Sequence, residues 1–144
     1  MSALTLDRAQ AILAAALEHA RKDGFKPLVV TVLDDRGAPK ALAAEDGVSL
    51  KRASVAHAKA YGALSLGMGS RSIFARAQQQ PYFVTAVGQL VDGAMIPVPG
   101  GVLIRNDGAV IGAVGISGDT SDNDEAAACA GIVAAGFVPD PGSD

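Results

Sequence analysis

Between Gly101 and Ser117 the chain runs Gly-Val-Leu-Ile-Arg, then Asn106-Asp107-Gly108, then Ala-Val-Ile-Gly-Ala-Val-Gly-Ile-Ser. Two apolar runs, 101–105 and 109–117, joined by Asn-Asp-Gly leave little alternative to an antiparallel hairpin. Asn and Asp tolerate the positive φ of a tight reversal, and Gly adopts it at no steric cost. A second hairpin stands earlier. Residues 28–34 (LVVTVLD) form a strand between Pro27 and the turn Asp34-Asp35-Arg36-Gly37, and residues 39–45 return beside it. The near-continuous apolar character of 28–34 predicts burial on both faces. Strands linked as hairpins rather than through helical crossovers give a mostly antiparallel sheet, so the fold class is α+β.

The remaining segments read mainly as helices. In 5–23, Leu6, Ala9, Leu13, Ala16, Leu17 and Ala20 recur at spacings of three and four, with Thr5 as cap, Asp7 at the positive dipole end and Gly24 as terminator. Ser49 is expected to cap a helix over 50–66 that ends at Gly67, its stripe formed by Leu50, Ala53, Ala56, Ala60, Ala63 and Leu64. Ser70 is expected to cap a third helix over 71–79, stopped by Pro81. Residues 82–90 are ambiguous and compatible with a short helical turn. Residues 94–98 read as a short strand ending at Pro97-Val98-Pro99. A last helix runs from about Asp122 to Ala135, and 137–144 (FVPDPGSD) reads as a frayed tail. The expected order is α-β-β-α-α-β-β-β-α, a five-stranded sheet flanked by helices in a single domain over 1–144, with no linker and no solenoid repeat.

Composition narrows the function classes. Aromatic residues are 4% of the chain and Trp is absent, so the core is built from Ala, Val, Leu and Ile with close backbone approach, and self-association is a plausible way to bury more surface. A net charge of −3 without a basic stripe argues against a nucleic-acid partner. The lone Cys129 excludes an intrachain disulfide and fits a reducing compartment. No apolar run approaches the ~20 residues of a membrane span, and the N-terminus lacks the charge and apolar pattern of a secretory signal. The expected location is the cytoplasm.

Several residues invite a chemical reading. The glycines at 100, 101, 112, 115 and 118 can bring bare backbone and its N–H donors close to an anionic ligand. The Pro99-Gly100-Gly101 bend favours that role, whereas Gly112 and Gly115 favour the other reading, that they only let a helix pack closely on the sheet. Lys59 lies among alanines beside the buried stripe of its helix and reads either as a point charge for a carboxylate or as a snorkelling surface lysine. Arg52 and Arg71 are weaker candidates for the same task. Asp122, Asp124 and Glu125 read either as helix-dipole partners or as groups that hold a pocket residue or another subunit. The glycine spacing does not follow a dinucleotide fingerprint, 119–125 lacks an EF-hand loop, and no nucleophile elbow or closed zinc set occurs.

Pro99-Gly100-Gly101, Gly108, the run Ile111-Gly112-Ala113-Val114-Gly115-Ile116-Ser117-Gly118, then Asp124-Glu125 and Ala130-Gly131 together resemble the signature half of the GlcG/HbpS family. Val32-Leu33-Asp34, Gly37 and Lys59-Ala60 agree with it, and the resemblance spans about residues 5–136. It implies a profilin-like five-stranded antiparallel sheet with helices on both faces, and homo-oligomers from dimers to octamers. The family includes heme-binding proteins, the C-terminal part of some cobalamin adenosyltransferases of the PduO type, and proteins of glycolate-utilisation loci. What it implies for this chain is a small-molecule-binding protein, holding heme or a carboxylate-bearing metabolite near the Pro-Gly-Gly bend. Lys59 would neutralise an acid group, Gly100 and Gly101 would donate N–H bonds, and Pro99, Asp124 and Glu125 would frame the site. For iron, His57 is the best candidate, ahead of His19 and Cys129. The alternative is an enzyme acting on a small organic acid, with Lys59 or Asp124 as general base and the glycine bend stabilising an oxyanion.

Overall fold

The Thr5 hydroxyl accepts a hydrogen bond from Arg8 N at 3.2 Å and starts α1 (Leu6–Lys22) in the computed structural model, which describes residues 3–144. Met1 and Ser2 of the expected 1–144 domain lie outside the described residues. β1 (Val29–Asp34) and β2 (Pro39–Ala44) form the first hairpin. Next come α2 (Arg52–Leu66), α3 (Ser70–Gln79) and α4 (Pro81–Leu90). β3 (Gly101–Asn106) and β4 (Ala109–Ser117) form the second hairpin, with φ of 52° at Asp107 and 81° at Gly108. α5 (Ser121–Ala134) and β5 (Val138–Asp140) close the chain. The sheet order is β2-β1-β4-β3-β5, and each neighbouring pair is antiparallel.

Alternation along the strands divides the sheet between two layers. Val30, Val32, Val102, Ile104, Val114 and Ile116 meet Ile12, Ala16, Ala128 and Ile132 of α1 and α5. Leu33, Leu103 and Ala113 meet Ala60 and Ala63 of α2 on the opposite side. As expected for a strand covered on both faces, Val29 to Leu33 are all buried. Ile73, Val84 and Met95 make a smaller cluster beneath α3 and α4. A core poor in aromatics needs short helix-to-sheet distances, and glycines allow them. A Cβ at Gly115 would overlap the Ala56 carbonyl, and one at Gly101 would overlap the Lys59 carbonyl. The backbone of α2 therefore rests directly on β3 and β4.

Three local expectations are corrected, and the open reading of 82–90 resolves to helix. Residues 94–98 are not a strand: Pro97 and Pro99 lack N–H donors, and the nearly buried Met95 anchors the segment in the small cluster instead. The fifth strand is β5, in the stretch read as a frayed tail. Val138 pairs with Arg105 and Asp140 with Leu103, and Arg105 Nε donates to Asp140 at 2.8 Å. Pro139 is tolerated because β5 is an edge strand. Pro81 not only ends α3 but also occupies the first turn of α4, a position for which its fixed φ suits it, so 82–90 is fully helical. Ser49 does not cap α2, which begins at Arg52 with no side-chain cap, and Leu50 is 89% exposed rather than part of the buried stripe.

Gly115→Ala is expected to destabilise the protein by about 3 kcal/mol or prevent folding, because backbone must move. Gly24→Ala, where φ is 71° and a Cβ would meet nothing within 4 Å, is expected to cost about 1 kcal/mol. Urea unfolding of both variants checks the difference.

Candidate functional site

Lys59 points inward from α2 at the level of the Pro-Gly-Gly bend and is 3% exposed. Its Nζ donates to the Ile116 carbonyl at 2.9 Å and to Asp124 Oδ2 at 3.1 Å. Asp124, 1% exposed, lies in the first turn of α5, after Thr120 caps the helix by accepting from Asn123 N. Its other oxygen accepts the Asp119 N–H at 3.0 Å. Asp119 in turn accepts the Lys26 N–H at 2.7 Å. The resulting chain of bonds ties α2, the β4–α5 turn and the α1–β1 loop together.

Burial, with Arg52 as a lesser cause, draws the Lys59 ammonium below its ordinary value against the attraction of Asp124. Burial likewise raises the Asp124 carboxyl above its ordinary range, opposed by Lys59 and by the Asp119 N–H. For both groups desolvation outweighs the partner's field, as expected where a charge pair leaves water.

The glycine bend is filled from inside. The Gly101 N–H goes to Ser70 Oγ at 2.7 Å, so the serine expected to cap α3 instead holds β3. Gly100, at φ 124°, lies against the Lys59 side chain, whose Nζ would stand 2.7 Å from a Cβ there. Pro99, itself buried, lines a pocket of about 280 Å³ with Arg71, Phe74 and Asp122. Arg71 is bound there by Glu125, Asp122 and Asp144, contacts that raise its already high proton affinity. Of the predicted site residues, Lys59, Asp124, Gly100 and Gly101 thus come together, Glu125 joins Arg71, and His57 stands apart.

His57 lies on the outer side of α2 and lines a groove of about 420 Å³ with Ala53, Ser54, Ala58, Asp92, Gly93 and Ala94. The His57 ring stacks on Tyr61 at 5.5 Å between centroids with 26° between planes, and Tyr61 packs over Gly37 in the β1–β2 turn. The imidazole is therefore braced from the turn side, and the groove opens on the other. The opposite wall, Asp92 to Ala94, escaped the sequence reading, although Asp-Gly after an apolar segment is a turn signal; Asp92 and Gly93 indeed take φ of 54° and 79°. His19 instead pairs with Asp23 at 3.4 Å and meets Phe25 edge-on. Burial pushes the Cys129 thiol up to about 11, which keeps it protonated at neutral pH and a poor iron ligand.

The protein is thus an antiparallel sheet between two helical layers, with an open groove beside a braced histidine on one helix. The family model described as haem degrading protein HbpS-like matches residues 4–133, and the chain belongs to that family. Among solved structures, HbpS is 28% identical with a TM-score of 0.80, the match covering 92% of this chain and 90% of HbpS. The Klebsiella pneumoniae protein ORFY is 26% identical with a TM-score of 0.84, covering 94% and 92%. The PduOC:heme complex shares the fold at a TM-score of 0.85 and 24% identity, covering 94% and 97%. No curated protein matches the chain. Among the described residues, no helix is long and apolar enough to cross a membrane.

Lys59→Met or Asp124→Asn alone is expected to destabilise by about 3–5 kcal/mol, since each leaves a buried charge unpaired, while Lys59→Met with Asp124→Leu is expected to recover most of the loss. The pH dependence follows from the two shifts. Native Asp124 takes up its proton before the unfolded chain does, so its contribution to stability grows as pH falls toward 3.8. Native Lys59 releases its proton first, so its contribution grows as pH rises toward 10.5. Denaturant unfolding across pH checks the result: the double variant should compare best with the parent near neutrality and less well toward either end.

Proposed function

We propose that the protein binds heme, or a similarly flat carboxylate-bearing molecule, in the groove beside His57. The observation that carries this reading is a braced imidazole lining an open, largely apolar wall in a chain of the HbpS-like family. One related structure is a heme complex. The residues present fit the group. A neutral imidazole is a common axial ligand. A groove of about 420 Å³ lies within the size range of small-molecule sites and, being open, suits a ligand that leaves one edge in water. Lys51, the exposed residue just before α2, precedes Ser54 and Ala58 by three and seven positions, and its ammonium would supply a cation for a ligand carboxylate.

When bound, heme would supply the iron chemistry. The chain would supply orientation: Tyr61 fixes the imidazole plane, Ala53 and Ala58 provide apolar contact, and the Asp92–Ala94 turn limits how deeply a ligand enters. The bend at Pro99 to Gly101 is a weaker location, because Lys59 and the Gly101 N–H already have internal partners. Catalysis with Lys59 or Asp124 as general base would need solvent access to a pair that is almost wholly covered.

Hemin titration checks the site. A Soret shift that saturates with the parent, and weakens about tenfold or more in His57→Ala, is expected; the same curve for both proteins would remove His57 as ligand.

Self-association, expected from the sparse aromatic core, is placed by us on α4. No charged residue occurs from Pro81 to Val91, only Val84 is buried, and Tyr82 and Leu90 are 72% and 83% exposed. An uncharged apolar face of this kind is typical of an interface. Light scattering should report an oligomer for the parent and a smaller species for Tyr82→Glu with Leu90→Glu.

A further inference from the structure

The α1–β1 loop, the loop before α2 and the end of β4 enclose a pocket of about 230 Å³, lined by Lys26, Pro27, Gly47, Val48, Ser49, Arg52 and Gly118. Two cations line it and no acidic side chain does. Elsewhere cations are matched by carboxylates: Arg21 has Glu45, Lys59 has Asp124, Arg71 has three acids and Arg105 has Asp140. Among the described residues, neither Lys26 nor Arg52 has an acid within ion-pair distance.

Two neighbouring carboxylates, Glu45 and Asp119, are turned to other tasks. Glu45 accepts from Leu28 N at 2.8 Å and pairs with Arg21 at 3.0 Å. Asp119 accepts from the backbone of Lys26 and Thr120 and from Asn123 Nδ2. Arg52 is held by one nitrogen only, Nη1, which donates to the buried Ser117 hydroxyl at 3.1 Å. That single bond orients the guanidinium and leaves other N–H groups available. Ser49 makes no capping bond to α2, and its hydroxyl is a further donor on the pocket wall.

We propose that this pocket binds a small oxyanion, a carboxylate or phosphate group carried by a metabolite, between Arg52 and Lys26. Arg52 supplies the planar donor edge that fits two oxygens at once, and Lys26 a mobile point charge. The glycines at 47 and 118 keep side chains from narrowing the mouth. The site is distinct from the His57 groove and does not depend on heme binding there.

The test is a proton–nitrogen NMR titration of the whole protein with sodium phosphate and, separately, sodium malonate, each against sodium chloride at matched ionic strength. Saturable shifts are expected at the Gly47, Ser49 and Gly118 amides and the Arg52 side chain with at least one of the two anions. The anion that saturates at the lower concentration identifies phosphate or carboxylate as the preferred group. Arg52→Gln should weaken binding about tenfold or more and Lys26→Gln about threefold or more, with Lys40→Gln unchanged. Should Arg52→Gln fail to fold by circular dichroism, Lys26→Gln decides. Shifts that never saturate, shifts that chloride reproduces, or equal binding by the parent and the Lys26 variant would overturn the proposal.

Discussion

Lys59 and Asp124 are separated by 65 residues in sequence and meet where almost no water reaches. Neither charge could be left there alone. Each is held by more than its partner, Lys59 by the Ile116 carbonyl and Asp124 by the Asp119 N–H. The pair therefore requires α2, the end of β4 and the start of α5 to be in place together, and it fixes the turn that carries Asp119. The rest of the layering depends on the same contact. α2 can bring Lys59 to that depth only because Gly100, Gly101 and Gly115 let its backbone lie against the sheet.

This arrangement separates structural from ligand-facing polar groups. The cation, the acid and the bare N–H groups of the glycine bend look in sequence like a ready anion niche, yet in the fold the cation and the acid satisfy each other and the Gly101 N–H goes to Ser70. What faces outward is different: a braced imidazole with apolar neighbours on one side of α2, and two cations without acids near its first turn. The helix thus carries an inner surface for folding and the two outer surfaces proposed above as small-molecule sites.

Much of the fold was legible because it rests on local chemistry. Thr5 caps α1, Asn106-Asp107-Gly108 turns the β3–β4 hairpin, and the run at Val29–Leu33 is covered on both faces. Errors arose where tertiary contacts decide. Residues 138–140 become a strand because the edge of β3 and Arg105 await them, which spacing does not reveal. Residues 94–98 fail as a strand because two prolines remove donors and Met95 has a cluster to fill. Ser49 and Ser70 have the composition of caps, but a hydroxyl goes to the strongest nearby need, and for Ser70 that is the N–H of Gly101. At the site, Lys59 and Asp124 were singled out by residue type, while their mutual pairing could not be seen without the fold. His57 was legible as a candidate only through its chemistry; its wall at Asp92–Ala94 comes from a distant segment.

The separation of inner pair from outer groove is tested most directly by diffraction at the iron edge from crystals grown with hemin. An anomalous peak within coordination distance of the His57 imidazole, with the Lys59–Asp124 contact unchanged, is the predicted result. A peak beside Pro99 and Gly100, with the ammonium of Lys59 released from Asp124 toward the ligand, would contradict it.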